Sequence, residues 1–213
     1  RVSYAAGCSI DGPDTAGFAA AVEAASAADV AIVTVGDLAG LFGVGTSGEG
    51  NDVPDLRLPG VQAELVEAVL ATGTPVVLVV SSGRPYALGG MAERCAAVVQ
   101  AFFPGEEGAG ALASVLSGRV APSGRLPVGI PRVPGASPWT YLLPPLGRRR
   151  PGYTSLDPDM AFPFGHGLSY TSFALGDLAL SSEEIAPDGT LEIAATVTNT
   201  GPRAGVHVVQ LYL

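Results

Sequence analysis

The sequence predicts an α/β domain with a mostly parallel sheet, followed by a partial all-β segment. Two observations lead to this prediction. Between about residues 16 and 131, helix-like and strand-like segments alternate, which is typical of parallel strands joined by right-handed crossovers. From Ala174 onward apolar and polar residues alternate instead, as in the strand-like runs LEIAATVTNTG and GVHVVQLYL. The turn sequences PDG and NTG separate the runs, as in a β-sandwich.

The α/β part begins with a predicted helix, TAGFAAAVEAASAA, and a nearly continuous apolar strand, ADVAIVTVG, that ends near Gly36. An amphipathic helix, GVQAELVEAVLATG, ends at Gly73, and a buried strand, TPVVLVVSSG, follows it. The helix YALGGMAERCA, the strand AVVQAFF and the helix EEGAGALASVLSG continue the alternation, and GRLPVGIP is predicted to add a further strand. Ligands of such folds gather at the carboxyl ends of the strands, so the loop after the first strand is a candidate site.

This pattern divides the chain into three regions. Residues 1–135 form the α/β domain, residues 136–172 form a connection rich in proline, glycine and aromatic residues, and residues 173–213 form the all-β segment. The all-β segment holds too few strands to close a sandwich. The first residues, RVSYAAGCSI, and the last, VVQLYL, resemble the interior of a longer protein, so we expect a fragment.

Composition excludes several classes of function. The chain has 213 residues, of which 47% are hydrophobic, and this is enough for a buried core. Its formal net charge of −9 argues against a nucleic-acid partner, and the basic cluster GRRRPG is predicted to be a solvated loop. No apolar run reaches the roughly 18 residues of a membrane span. Two isolated cysteines, Cys8 and Cys95, and two histidines show no metal-ligand spacing, so no metal site is predicted.

The loop GVGTSGEGND, residues 43–52, contains a G-x-G-x-x-G pattern that could indicate a phosphate site. A dinucleotide fingerprint turns a strand directly into a helix, but here several residues separate the strand from the glycines and no helix begins before about Gly60. A Walker loop needs a lysine, and all eleven basic residues of this chain are arginines. The serine in GTSGEG lacks the G-x-S-x-G spacing of a serine hydrolase. We therefore expect no nucleotide and no other cofactor.

The order of several longer motifs is more specific. SGEGND precedes LRLPGVQAELVEAV, and TPVVLVVSSGRP, VVQAFFPGEEGAGALASVLSGRVAPSGRLPV and FPFGHGLSYTSF follow. This set resembles the C-terminal half of family 3 glycoside hydrolases, the bacterial β-glucosidases and β-xylosidases. The resemblance implies a three-layer α/β/α sandwich followed by the start of a fibronectin III-like domain. It also implies an oligosaccharide or glycoside substrate and a (β/α)8 barrel outside this chain that carries an aspartate nucleophile.

The resemblance also suggests roles for residues of the glycine-rich loop. Glu49 matches the acid/base glutamate of the family, and the glycines on both sides would let a loop bring its carboxyl group close to a sugar. Phe42 could form an apolar wall for a sugar face, but the preferred interpretation is a core aromatic. Asp52 would support the loop, but Val53 stands where many members have an arginine. Other polar residues in motifs, Glu107 and His166, are interpreted as a helix N-terminal charge and a structural hydrogen-bonding group.

The sequence therefore predicts a fragment of a retaining β-glycosidase that supplies the acid/base residue and lacks the nucleophile. The alternative is a non-catalytic carbohydrate-binding or scaffold module of the same fold. The choice between glucosides and xylosides, the oligomeric state, and a cytoplasmic or secreted location in a bacterium all stay open.

Overall fold

The computed structural model describes residues 1–135, 155 and 159–212. The sequences PWTYLLPPLG and GRRRPG lie outside the described residues. The chain forms two compact units, one of Arg1–Ala109 with Leu126–Gly165 and the other of Gly110–Arg125 with His166–Leu213. The helices and strands in chain order are α1 (Phe18–Ser26), β1 (Ala31–Gly36), α2 (Gln62–Leu70), β2 (Val76–Ser81), α3 (Gly90–Arg94), β3 (Ala97–Gln100), α4 (Gly108–Leu116), β4 (Phe173–Leu180) and β5 (Ile193–Asn199).

The first unit is built on a three-stranded parallel sheet in the order β1-β2-β3, which confirms the predicted α/β class. Ala31 is in register with Val76, and Val77 is in register with Ala97. The β-branched runs AIVTVG and VVLVVS suit a pleated sheet with a buried face. Helix α2 packs against β1, and α1 packs against α2. The core consists mainly of aliphatic residues from β1, β2 and α2: Val33, Val35, Leu65, Val66, Val69, Val76, Leu78 and Val80.

The carboxyl ends of β1 and β2 meet at one edge of the sheet, because Gly36 is in register with Ser81. The buried side chain of Gln62, the first residue of α2, fixes this edge. Its Oε1 accepts from the Gly36 amide at 2.6 Å, and its Nε2 donates to the Gly36 carbonyl at 2.8 Å and to the Ile10 carbonyl at 2.7 Å. The chain that leaves β1 therefore starts from a fixed point.

The second unit contains an antiparallel pair, β4 and β5, in which Phe173 faces Asn199 and the register shifts between Gly176 and Ala179. Thr171, just before β4, donates to the Asn199 amide oxygen at 2.8 Å. The Tyr170 hydroxyl donates to the carbonyl of Val115 at 2.9 Å. These contacts explain why the GLSYTSF motif leads into the sheet.

Two predicted strands are wrong. In GRLPVGIP the structure shows no strand, only an isolated antiparallel bridge between Ile130 and Phe162. Pro127 and Pro131 lack the N–H groups that a ladder requires, so the apolar alternation was misleading there. GVHVVQLYL also forms no strand over its described residues, 205–212. Alternation alone does not make a strand, because a ladder also needs a partner strand to accept its hydrogen bonds.

Within the described ranges, no helix is both long enough and apolar enough to cross a membrane.

Candidate functional site

The candidate site is built on a carboxylate that follows β1 directly. Asp37 is buried, and its amide donates to the Ser81 carbonyl at 2.9 Å. Its Oδ1 accepts hydrogen bonds from the hydroxyl of Thr46 at 2.8 Å and from the hydroxyl of Tyr86. Its Oδ2 accepts from the amide of Gly83 at 2.9 Å. One carboxylate thus joins the loop after β1 to the loop after β2.

Tyr86 is the most enclosed of these partners, with only 1% of its surface exposed. Burial, and then the hydrogen bond to Asp37, raise the pKa of the Tyr86 hydroxyl to about 12, although the nearby Arg84 opposes this shift. The phenol is therefore protonated at neutral pH and serves as a permanent donor to Asp37.

Residues 40–49 of the loop after β1 fold back on themselves and form a short ribbon. The Gly40 amide donates to the Ser47 carbonyl at 2.9 Å, and the Phe42 amide donates to the Glu49 carbonyl at 2.7 Å. Residues 41–44 form the exposed tip of the ribbon. The ribbon thus has its own backbone hydrogen bonds in spite of its many glycines.

The glycines beside Glu49 meet steric demands of this ribbon. Gly48 has φ +128°, and a Cβ atom there would lie 1.8 Å from the carbonyl oxygen of Gly40. Gly50 has φ +74°, and its Cβ would lie 3.2 Å from the Cα atom of Phe42. Only glycine tolerates the close approach at Gly48, so this glycine shapes the turn that presents Glu49.

Two further side chains hold the segment that carries Glu49. The buried Asn51 donates from Nδ2 to the Gly40 carbonyl at 3.1 Å. The Arg84 guanidinium, from the loop after β2, donates to the carbonyls of Thr46 and Asn51. Both ends of residues 46–51 are therefore attached to the edge of the sheet.

The residues predicted from the sequence lie on this loop in different situations. Glu49 is exposed, and Phe42, joined to it through a backbone hydrogen bond, is 74% exposed and thus is not a core aromatic. Asp52 is also exposed, and its side chain makes no hydrogen bond within the described ranges, where Asn51 and Arg84 hold the loop instead. Glu107 lies in the turn just before α4 and not within its first turn.

Sequence reasoning missed Asp37, Arg84 and Asn51. A signal was present for the first two, because each directly or nearly follows a buried strand of a parallel sheet, where functional side chains collect. No pattern in the sequence marks Asn51.

A cavity of about 230 Å³ lies beside this edge of the sheet, and its lining includes Cys8, Thr34, Asp37, Gln62 and Ser81. Burial raises the pKa of the Cys8 thiol, so the thiol is not an activated nucleophile. In the part of the chain that the structure describes, no group of three or more His, Cys, Asp and Glu residues could hold a metal ion.

Comparisons with known proteins identify the family of the chain. Residues 2–170 match the glycosyl hydrolase family 3 C-terminal domain. The chain is 40% identical, over its whole length, to a beta-xylosidase of Formosa agariphila, of which it covers 29%. Over 91% of its length it is 40% identical to a periplasmic beta-glucosidase of Salmonella typhimurium, of which it covers 26%.

Solved structures show the same fold. A beta-glucosidase of Erythrobacter marinus aligns with 88% of this chain at 42% identity and a TM-score of 0.77, and the aligned part is 25% of that protein. A beta-glucosidase of Listeria innocua in complex with glucose aligns with 91% of this chain at 27% identity and a TM-score of 0.79, over 28% of its own length. The chain thus spans about a quarter of the length of these relatives. With most of its length matched and a parallel α/β unit of the same fold, the chain belongs to glycosyl hydrolase family 3, whose C-terminal domain it matches over residues 2–170.

Proposed function

We propose that this chain supplies the acid/base residue, Glu49, of a retaining β-glycosidase that removes terminal non-reducing β-linked glucose or xylose. The observation that carries the proposal is the placement of Glu49: an exposed carboxyl group on a loop that is anchored at the carboxyl edge of the sheet. Relatives named beta-glucosidase and beta-xylosidase support the substrate class.

In this proposal the three regions have different tasks. Residues 1–135 present the acid/base loop, residues 136–172 connect, and residues 173–213 begin a fibronectin III-like domain. An aspartate in a (β/α)8 barrel outside this chain acts as the nucleophile, and the coverage of only about a quarter of the relatives leaves room for such a barrel. A retaining mechanism needs the two carboxyl groups roughly 5–5.5 Å apart, so the barrel would face the loop that carries Glu49.

The chemistry then takes two proton transfers. In the first step the barrel aspartate attacks the anomeric carbon, and the Glu49 carboxyl group gives its proton to the departing glycosidic oxygen. In the second step the Glu49 carboxylate takes a proton from a water molecule, which displaces the aspartate and releases the sugar with its configuration retained. The exposed ring of Phe42 beside Glu49 offers an apolar face on which a sugar ring could stack.

The experiment is to express the complete gene product, identify its preferred sugar with a panel of aryl glycosides, and compare Glu49→Ala with the unchanged protein. Natural substrates should be cleaved about 10² to 10⁴-fold more slowly, because an alkoxide does not leave without a proton. Activated aryl glycosides should be affected less in the first step, and azide, which needs no base, should restore turnover as a β-glycosyl azide. Glu107→Gln, at another exposed glutamate, is the matched control and should keep its activity.

Equal losses on both kinds of substrate, without rescue by azide, would remove Glu49 from the acid/base role. A complete gene product that binds sugars but cleaves no member of the panel would favour a carbohydrate-binding or scaffold module instead.

A further inference from the structure

We propose that Arg84 is a positioning residue that aims the Glu49 carboxyl group at the scissile bond. This inference rests on the proposed acid/base role of Glu49.

Arg84 binds both ends of the segment that carries Glu49. Its guanidinium donates to the carbonyls of Thr46 and Asn51, which lie three residues before and two residues after Glu49. A guanidinium has five N–H donors in a rigid planar fork, so it can bind two carbonyl groups at once. This one side chain therefore bridges the two ends of the segment that carries Glu49.

Thr46 and Asn51, the two residues that Arg84 binds, are themselves held by hydrogen bonds. The hydroxyl of Thr46 donates to Asp37 at 2.8 Å and accepts from the Leu38 amide at 2.9 Å. The side chain of Asn51 donates to the Gly40 carbonyl at 3.1 Å. The segment that carries Glu49 therefore has little slack at either end.

The direction of the Glu49 carboxyl group is not fixed by a hydrogen bond of its own to any described residue. Within the described residues, the Glu49 carboxylate makes no hydrogen bond, and its neighbours on both sides are glycines, which restrain the backbone least. The carbonyl of Glu49 accepts from the Phe42 amide at 2.7 Å and from Nδ2 of Asn51 at 3.5 Å. The direction of the carboxyl group thus depends on how the ends of its segment are anchored.

The backbone around Arg84 is itself held by hydrogen bonds. Its carbonyl accepts from the Ser82 hydroxyl at 2.7 Å, and the Ser82 hydroxyl accepts from Gln100 of β3 at 3.1 Å. The amide of the preceding residue, Gly83, donates to Asp37 at 2.9 Å. The backbone that carries the Arg84 side chain is therefore bound to the end of the sheet.

The test compares Arg84→Gln and Arg84→Lys with Glu49→Ala in the complete gene product. The substrates are the methyl and dinitrophenyl glycosides of the sugar identified by the panel. A misaligned acid slows only the substrate whose leaving group needs a proton, so Arg84→Gln should lower kcat/KM for the methyl glycoside about 10 to 100-fold. The kcat/KM for the dinitrophenyl glycoside should stay close to that of the unchanged protein. On that substrate kcat and KM should fall together, because Glu49 also serves as the base that releases the glycosyl-enzyme.

Arg84→Lys keeps the positive charge but binds one carbonyl at a time, so it should show the same split between substrates at a smaller amplitude. It also keeps the experiment informative if Arg84→Gln does not fold. Arg94→Gln, which removes an exposed arginine paired with Glu67, is the matched control and should leave both substrates unaffected.

Equal losses on the two substrates in both Arg84 variants would mean that Arg84 only stabilises the fold, and this would overturn the inference. No loss on either substrate would overturn it as well. If Glu49→Ala shows the split and the Arg84 variants do not, only the inference fails. If Glu49→Ala itself shows no split, the proposed function fails and the inference falls with it.

Discussion

Replacing Tyr86 by phenylalanine tests whether the buried carboxylate of Asp37 organises the edge of the sheet. The change removes the hydroxyl and keeps the ring, so the ring packing around this 1% exposed side chain is preserved. Asp37 then keeps two of its three donors, the hydroxyl of Thr46 and the amide of Gly83.

The expected magnitude follows from the lost interaction. A hydrogen bond to a charged group contributes about 1.5–3 kcal/mol, and the remaining carboxylate stays buried with fewer donors. We therefore expect Tyr86→Phe to lower the free energy of unfolding by about 2 kcal/mol. Tyr4→Phe, at a tyrosine that is 89% exposed, is the matched control and should change it by less than about 0.5 kcal/mol.

Urea unfolding followed by circular dichroism measures this difference, and its pH dependence gives a second readout. A tyrosine in the unfolded chain ionises near pH 10, whereas Tyr86 in the folded chain ionises near 12. The unfolded state thus loses its proton first, and stability falls by about 1.4 kcal/mol per pH unit between pH 10 and 12. The phenylalanine variant has no such group and should lack this part of the alkaline loss.

The reasoning would be refuted if the variant unfolded at the same urea concentration as the unchanged chain, or if both lost stability equally above pH 10. Either result would mean that Asp37 does not depend on the tyrosine hydroxyl.

Three further outcomes are expected. The 213-residue chain alone should hydrolyse no aryl glycoside, because it offers Glu49 without the barrel nucleophile, and a sensitive release assay on the purified chain checks this. Gly48→Ala in the complete gene product should lower kcat/KM for methyl glycosides about 10²-fold, since a Cβ atom 1.8 Å from the Gly40 carbonyl forces the loop to rebuild; unchanged kinetics would contradict this. Gly110→Ala should raise the urea midpoint by an amount corresponding to about 0.5–1 kcal/mol, because this glycine lies inside α4 with open space around its Cβ position; a lower midpoint would contradict this.

The regular elements of the first unit could be predicted because their pattern is local. The strands β1 and β2 are short apolar runs, and α2 shows helical periodicity, so their existence was predicted and only their ends differ by a few residues. The strand predicted at GRLPVGIP was wrong because the same local pattern arises in an extended segment. That segment contains two prolines and forms a single bridge, at Ile130.

The site could be predicted only in part, because several of its contacts join residues far apart in the sequence. Glu49 was identified from a motif of adjacent residues. Arg84, by contrast, binds carbonyls 33 and 38 positions away, and Tyr86 binds a carboxylate 49 positions away. Such pairs form only once β1 and β2 are in register, and nothing in the neighbouring sequence specifies which carbonyl an arginine will find.

The ribbon has a base and a tip that differ in how firmly they are held. Its base is tied to the sheet through Asp37, Arg84 and Asn51, while its tip, residues 41–44, is exposed. A Cβ atom at Gly43 would meet nothing within 4 Å, but φ +81° favours glycine there, so the room for other side chains lies at the exposed Leu41 and Val44. These two positions can therefore change during evolution while Glu49 is presented from the same base.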